Sequence, residues 1–178
     1  MGKAKMFKIN SISTFANVLQ NPHYTIPFMI NEKGEEVDTK GKWRDLLFGG
    51  RPSLVLELAC GKGDYALALA RKYANKNFLG VDSKGARIYT GSKTAIDEKL
   101  NNVAFARMRI ENITNFFAPG EVDEIWITFP DPFPKKGDAK RRLTSKSFLE
   151  CYRTIAKPGA TFTLKQMTYP CFNLQRRV

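Results

Sequence analysis

The stretch Leu54–Gly63, which reads LVLELACGKG, contains the residues that decide the fold. Its apolar first half predicts a buried strand, and Gly61 and Gly63 predict a sharp turn into the helix-forming stretch that follows. A second apolar run, at 77–81, ends on Asp82 and leads into another helix-like stretch. A strand, a glycine turn and a helix in this order are typical of the ligand-binding edge of a parallel sheet.

Three further strands are predicted after these two, at 103–108, 122–129 and 160–165, with a helix at 145–156. Strands that alternate with helices predict an α/β fold with a doubly wound, mostly parallel sheet. We expect residues 1–50 to form an N-terminal extension, in which only Trp43–Phe48 looks able to pack, and residues 51–178 to form the ligand-binding domain.

Composition narrows the class of protein. The 178 residues are 43% hydrophobic, without an apolar run long enough to span a membrane or the features of a signal peptide, so we expect a cytoplasmic protein. Three cysteines at unrelated spacings predict neither a disulfide framework nor a metal site, and a single histidine argues against a histidine-based triad. The net charge of +12 is equally compatible with a solvated basic surface and with a polyanionic partner, and it is the local concentration of the basic residues that favours the partner.

Two acids flank the glycine turn and indicate the kind of cofactor. Glu57 precedes the glycines, and Asp82 ends the second strand, where an acid can bind the ribose hydroxyls of a nucleoside. A carboxylate at Glu57 would repel the pyrophosphate of a dinucleotide such as NAD. It suits S-adenosylmethionine, which carries an ammonium and a sulfonium group. The simpler alternative is a tight turn with a solvated Glu57.

A proline-flanked acid follows the fourth strand and leads into a basic run. Pro130 and Pro132 restrict the backbone around Asp131, which is expected at the active cleft. The run beyond it is expected to bind phosphates while an unstacked base enters the cleft, and Phe133 offers an aromatic face among the charges. A surface turn with a solvated charged face is the alternative. The basic residues are Lys135, Lys136, Lys140, Arg141 and Arg142.

These motifs resemble the tRNA (guanine-N7-)-methyltransferase family, in order and spacing, over about residues 42–165. The resemblance implies a Rossmann-like class I methyltransferase that uses S-adenosylmethionine and methylates a guanine in the tRNA variable loop. It implies that Glu57 and Asp82 are cofactor carboxylates and that Asp131 is the active-site aspartate. It also implies that Lys135 binds substrate and that 137–142 contacts RNA.

The chain departs from the family pattern at several positions. Phe133 stands where tryptophan is usual, and Gly137-Asp138 replaces a more basic pair. Arg109 stands where a further cofactor-side aspartate is common, so Glu111 is a candidate to replace it.

After residue 165 the family's Thr-Asp is missing, and we expect a truncated or frame-shifted product without the last two strands. Its fifth strand would then be an uncovered edge, and the chain a monomer or weak homodimer. Two alternatives stay open. The chain could be a weak or inactive tRNA-binding remnant, or a class I methyltransferase with a non-RNA substrate.

Overall fold

The structure is a computed structural model that describes residues 2–21, 23, 25–165 and 174–177, the last four by their backbone alone. Short 3₁₀ turns lie at Ile12–Thr14, Ile110–Asn112 and Lys136–Arg141. The helices are α1 (Lys3–Ser11), α2 (Trp43–Phe48), α3 (Asp64–Lys72), α4 (Gly85–Asp97), α5 (Ile113–Phe116) and α6 (Lys146–Ile155). The strands are β1 (Val18–Gln20), β2 (Met29–Ile30), β3 (Glu36–Val37), β4 (Val55–Leu58), β5 (Phe78–Asp82), β6 (Val103–Arg107), β7 (Val122–Thr128), β8 (Ala156–Lys165) and β9 (Leu174–Arg177).

The strands form one sheet in the order β3-β2-β1-β6-β5-β4-β7-β8-β9. All neighbours from β1 to β8 in this order are parallel, which confirms the predicted doubly wound sheet. The chain runs from β4 outward to β6 and then returns to the other side of β4 as β7. The topological switch point therefore lies between β4 and β7, and ligands of such sheets bind beyond the carboxyl ends of the strands there.

Residues before 51 take part in the same sheet. Strand β1 pairs in parallel with β6, and β2 and β3 continue the sheet beyond it as antiparallel strands. The packing expected of Trp43–Phe48 is confirmed, because the Trp43 side chain is fully buried and stacks on Phe117 at 4.9 Å between ring centroids.

The other end of the sheet corrects one expectation. The sequence predicts that β8 is an uncovered edge and that the last two strands of the family are missing. Instead β9 pairs antiparallel with β8, from Leu164 opposite Leu174 to Thr161 opposite Arg177. Ladder hydrogen bonds join backbone groups, so an edge strand can form without a strong apolar pattern in its sequence. Residues 166–173, where the family's Thr-Asp is missing, lie outside the described residues.

Apolar side chains cover both faces of the sheet. Helices α3 and α4 bury residues such as Leu67 and Ile88 on one face, while α2, α5 and α6 bury Trp43, Phe116 and Tyr152 on the other. None of the helices in the described part of the chain is long and apolar enough to cross a membrane.

Candidate active site

The glycine loop joins β4 to α3 at the carboxyl edge of the sheet. Gly61 and Gly63 have φ angles of 59° and 75°, in the left-handed region that glycine adopts without strain. The Gly63 amide donates a hydrogen bond of 2.8 Å to the Cys60 carbonyl, which closes the turn. Burial raises the pKa of the Cys60 thiol well above its ordinary value, so this cysteine is a neutral packing residue.

The Phe105 side chain of β6 supports this loop, a contact that the sequence motifs did not reveal. A Cβ atom added at Gly63 or Gly91 would lie 2.4 or 2.7 Å from the Phe105 ring. The Gly91 Cβ would also lie 2.3 Å from the Lys62 carbonyl oxygen in the loop. Helix α4 therefore packs against the loop at a distance that only glycine allows at position 91.

Asp82, at the end of β5, fixes the loop from the neighbouring strand. Its Oδ2 accepts a hydrogen bond of 2.9 Å from the Gly61 amide, and its Oδ1 accepts one of 2.8 Å from the Lys84 amide. The side chain is buried at the carboxyl edge. Each oxygen of a carboxylate can accept a second hydrogen bond, so both retain capacity for a ligand hydroxyl.

Glu57 is buried below the loop with 5% of its surface exposed. Its Oε2 accepts a hydrogen bond of 2.9 Å from the Ala66 amide in the first turn of α3, and its Oε1 accepts one of 2.8 Å from the Thr128 hydroxyl. Burial raises the pKa of Glu57 to about 7, against the lowering effect of these two hydrogen bonds. A solvated Glu57, the simpler sequence alternative, is therefore wrong.

Asp131 lies three residues beyond the end of β7, the strand that pairs with β4. Its side chain is exposed, while Phe129 and Phe133 on either side of it have positive φ angles of 50° and 40°. The Phe129 amide donates a hydrogen bond of 2.7 Å to the Lys165 carbonyl, which anchors the turn to the end of β8.

The basic run divides into residues that organise it and residues that project from it. The Arg142 guanidinium donates hydrogen bonds of 3.0 and 2.8 Å to the Phe133 carbonyl, and the Arg141 guanidinium lies 4.6 Å from the centroid of the Phe133 ring. Arg141 also pairs with Asp138 at 3.2 Å. These contacts fold the segment back on the Asp131 turn. The lysines at 135, 136 and 140 are exposed.

Arg109 and Glu111 follow β6 and are both exposed at the carboxyl edge of the sheet. Burial raises the pKa of the Tyr152 hydroxyl in α6 well above its ordinary value, and the Glu111 carboxylate adds to that shift. Within the described ranges, His, Cys, Asp and Glu side chains form no group of three that could hold a metal ion.

The sequence is similar to those of known methyltransferases. Residues 51–170 match a family described as "Putative methyltransferase". The chain is 43% identical over 168 residues to a tRNA (guanine-N(7)-)-methyltransferase of Bacteroides thetaiotaomicron, covering 93% of this chain and 62% of the relative. It is 45% identical over 163 residues to the enzyme of that name from Christiangramia forsetii, covering 92% of this chain and 69% of the relative.

Solved structures show the same fold at low sequence identity. An antibiotic-related methyltransferase superposes with a TM-score of 0.59 at 22% identity, covering 73% of this chain and 65% of that one. The antibiotic-resistance methyltransferase Kmr superposes with a TM-score of 0.57 at 17% identity, covering 78% of this chain and 72% of that one. These likenesses show a Rossmann-like class I methyltransferase fold, and the sequence matches show that the chain belongs to the methyltransferase family that includes the tRNA (guanine-N(7)-)-methyltransferases.

Proposed function

We propose that this chain transfers a methyl group from S-adenosylmethionine to N7 of a guanine in the variable loop of tRNA. One observation carries the proposal. Strands β4 and β7 are adjacent and parallel, with Leu58 opposite Ile127, so the glycine loop and the Asp131 turn leave the sheet side by side. A donor on the loop and an acceptor on the turn would therefore share one crevice. The names of the relatives agree with this function.

The loop fits S-adenosylmethionine better than a dinucleotide. Gly61 and Gly63 let the backbone approach a ligand closely, and the carboxylates of Glu57 and Asp82 make the site attractive to a cation. When bound, S-adenosylmethionine supplies an electrophilic methyl group on a positively charged sulfur. We assign Asp82 to the ribose hydroxyls and Glu57 to the cationic end. Arg109 and Glu111, beyond the next strand, are further candidates for the cofactor side.

The acceptor side requires positioning more than acid–base chemistry. Guanine N7 has a lone pair and loses no proton on methylation, so the protein needs only to orient the base and support the positive charge that develops. Asp131 is suited to the second task, because its flanking prolines restrict the position of its carboxylate. Lys135, Lys136 and Lys140 would bind phosphates, which positions the RNA without reading its sequence.

The proposed function also bears on the location of the protein, its metal requirement and its oligomeric state. A tRNA substrate is available in the cytoplasm, and attack by N7 needs no metal ion. A monomer or weak homodimer is sufficient, because the proposed donor and acceptor residues belong to one chain.

One assay tests the proposal against its rivals. The purified chain is incubated with methyl-labelled S-adenosylmethionine and unmodified tRNA, and the RNA is digested and analysed for 7-methylguanosine. Label in 7-methylguanosine is the expected result. Binding of tRNA without transfer would instead support an inactive RNA-binding remnant, and transfer to a non-RNA acceptor would support a methyltransferase of another substrate class.

A further inference from the structure

The side chain of Phe129 has no role in the function proposed above. The residue is 47% exposed, although it follows directly on the buried end of β7. It lies 5.9 Å from the ring of Tyr65, the second residue of α3, with an angle of 55° between the ring planes. Tyr65 comes two residues after Gly63 and Phe129 two residues before Asp131, so this contact joins the start of α3 to the Asp131 turn.

The backbone of Phe129 is strained. A φ of 50° is unfavourable for a bulky side chain, and the hydrogen bond from its amide to the Lys165 carbonyl holds the residue there. Glycine or asparagine would adopt this conformation at a lower cost. Strain of this kind is concentrated at ligand-binding positions, and nearly half of the surface of Phe129 is exposed, so core packing does not explain the residue.

We propose that Phe129 is the stacking surface for the acceptor guanine, with Tyr65 bracing it, and that it prefers the methylated base. This inference rests on the proposed function. The Lys165 ammonium already lies over the Tyr65 ring, 4.7 Å from its centroid, so the stacking role falls to Phe129.

The preference follows from charge. Methylation at N7 without loss of a proton turns a neutral purine into a cation. The face of an aromatic ring attracts a cation, and the attraction strengthens where water is excluded. Phe129 would therefore interact more strongly with the base as the methyl group is transferred than before. An interaction that grows toward the transition state raises the rate of the chemical step rather than substrate affinity alone.

The strained backbone provides a sharp test. Phe129→Asn removes the ring and suits the left-handed conformation, so we expect the variant to unfold at the same temperature as the wild type or higher. Its single-turnover rate of methyl transfer to tRNA should nevertheless fall by about 5- to 30-fold, with the Kd for S-adenosylmethionine within about twofold. Phe129→Tyr keeps an aromatic face and should recover most of the rate. Tyr73→Leu is the matched control, because Tyr73 is an exposed aromatic residue beyond the opposite end of α3.

A binding measurement separates this inference from the proposed function. Wild-type protein is titrated with 7-methylguanosine and with guanosine, and we expect tighter binding of the methylated nucleoside by about 5-fold or more, an advantage that disappears in Phe129→Asn. Equal binding of the two nucleosides by the wild type, or an unchanged transfer rate in Phe129→Asn, would overturn the stacking role. A wild-type chain that prefers 7-methylguanosine but methylates no tRNA would support the stacking role and refute the proposed function.

Discussion

The hydroxyl of Thr128 donates a hydrogen bond of 2.8 Å to Oε1 of Glu57 and so joins the last residue of β7 to the strand that precedes the glycine loop. Glu57 Oε2 meanwhile accepts from the Ala66 amide in α3. One buried carboxylate thus connects the loop proposed to hold the cofactor with the turn that carries Asp131. A change in its charge would act on both sides of the crevice.

Thr128→Val tests this connection, because valine keeps the shape of threonine and removes the donor. The loss of one hydrogen bond to a buried carboxylate should lower the free energy of unfolding by about 1–3 kcal/mol. The pKa of Glu57 should also rise further, because this hydrogen bond stabilises the ionised form. Glu57 would then ionise only at a higher pH, so a higher pH should be needed to reach the same affinity for S-adenosylmethionine. Urea unfolding and calorimetric titrations over a pH series measure both effects. Thr128→Ser restores the hydroxyl and should recover wild-type behaviour; a serine variant as impaired as the valine variant would argue against the hydrogen bond.

The raised pKa of Glu57 predicts a specific dependence of stability on pH. Its pKa is about 7 in the folded chain and 4.5 ordinarily, so between these values the folded chain holds a proton that the unfolded chain has released. The free energy of unfolding contributed by this group therefore falls as the pH rises through this interval, by roughly 3 kcal/mol in all, and is constant above it.

Glu57→Gln provides the comparison. Glutamine can accept from the Ala66 amide and donate to the Thr128 hydroxyl, and it does not ionise. We expect its urea-unfolding free energy to fall less than that of the wild type between about pH 5 and about pH 8. Parallel curves for the two proteins would show that Glu57 does not titrate in this range.

Gly91 is predicted to matter for cofactor binding although it lies in the middle of α4. A methyl group there would meet the Lys62 carbonyl at 2.3 Å and the Phe105 ring at 2.7 Å, and a backbone carbonyl cannot rotate away as a side chain can. Gly91→Ala should therefore displace the loop and weaken S-adenosylmethionine binding by about tenfold or more, with a stability loss of about 1–3 kcal/mol from overpacking. Gly137→Ala is the control, because a Cβ there meets no atom within 4 Å. Equal affinities in the two variants would contradict the prediction.

Asp131→Asn separates chemistry from binding. The amide keeps the shape of the carboxylate and removes the charge that would face the methylated base. We expect kcat for tRNA methylation to fall by about 10- to 1000-fold, while the Kd for S-adenosylmethionine changes little. Single-turnover rates and equilibrium dialysis measure the two quantities. A variant with normal turnover would exclude Asp131 from catalysis.

The sequence predicts which candidate residues lie at the ends of strands, and the structure has them there, while their roles stay predictions. Glu57 lies in β4, Asp82 is the last residue of β5 and Asp131 follows β7, and parallel topology brings such strand ends to one edge of the sheet whatever the details of packing. The sequence does not mark Thr128 or Phe129 as site residues, because Thr128 contacts Glu57 through one interstrand hydrogen bond and the role proposed for Phe129 rests on one backbone angle and its exposure.

Longer-range contacts were also hidden from sequence reasoning. Gly91 and Phe105 support the glycine loop from α4 and β6, and nothing in the local pattern of either element marks that contact. Arg142 was assigned to RNA, a role that stays a prediction. Its guanidinium also donates to the Phe133 carbonyl, a fold of the turn that spacing alone does not reveal.

The exposed lysines predict how RNA binding depends on salt. Lys136 and Lys140 project from the turn that Arg142 folds against Phe133, so truncating them should leave RNA phosphates without a cationic partner and the turn intact. In Lys136→Ala/Lys140→Ala the affinity for tRNA should fall. The slope of log K against log salt should become shallower by about 0.7–0.9 for each phosphate that is no longer neutralised. Lys72→Ala, at the far end of α3, removes an exposed lysine beside Tyr73 and serves as the control. Filter binding across a salt series measures the slopes; a double variant with the slope of the Lys72→Ala control would exclude these lysines from the RNA interface.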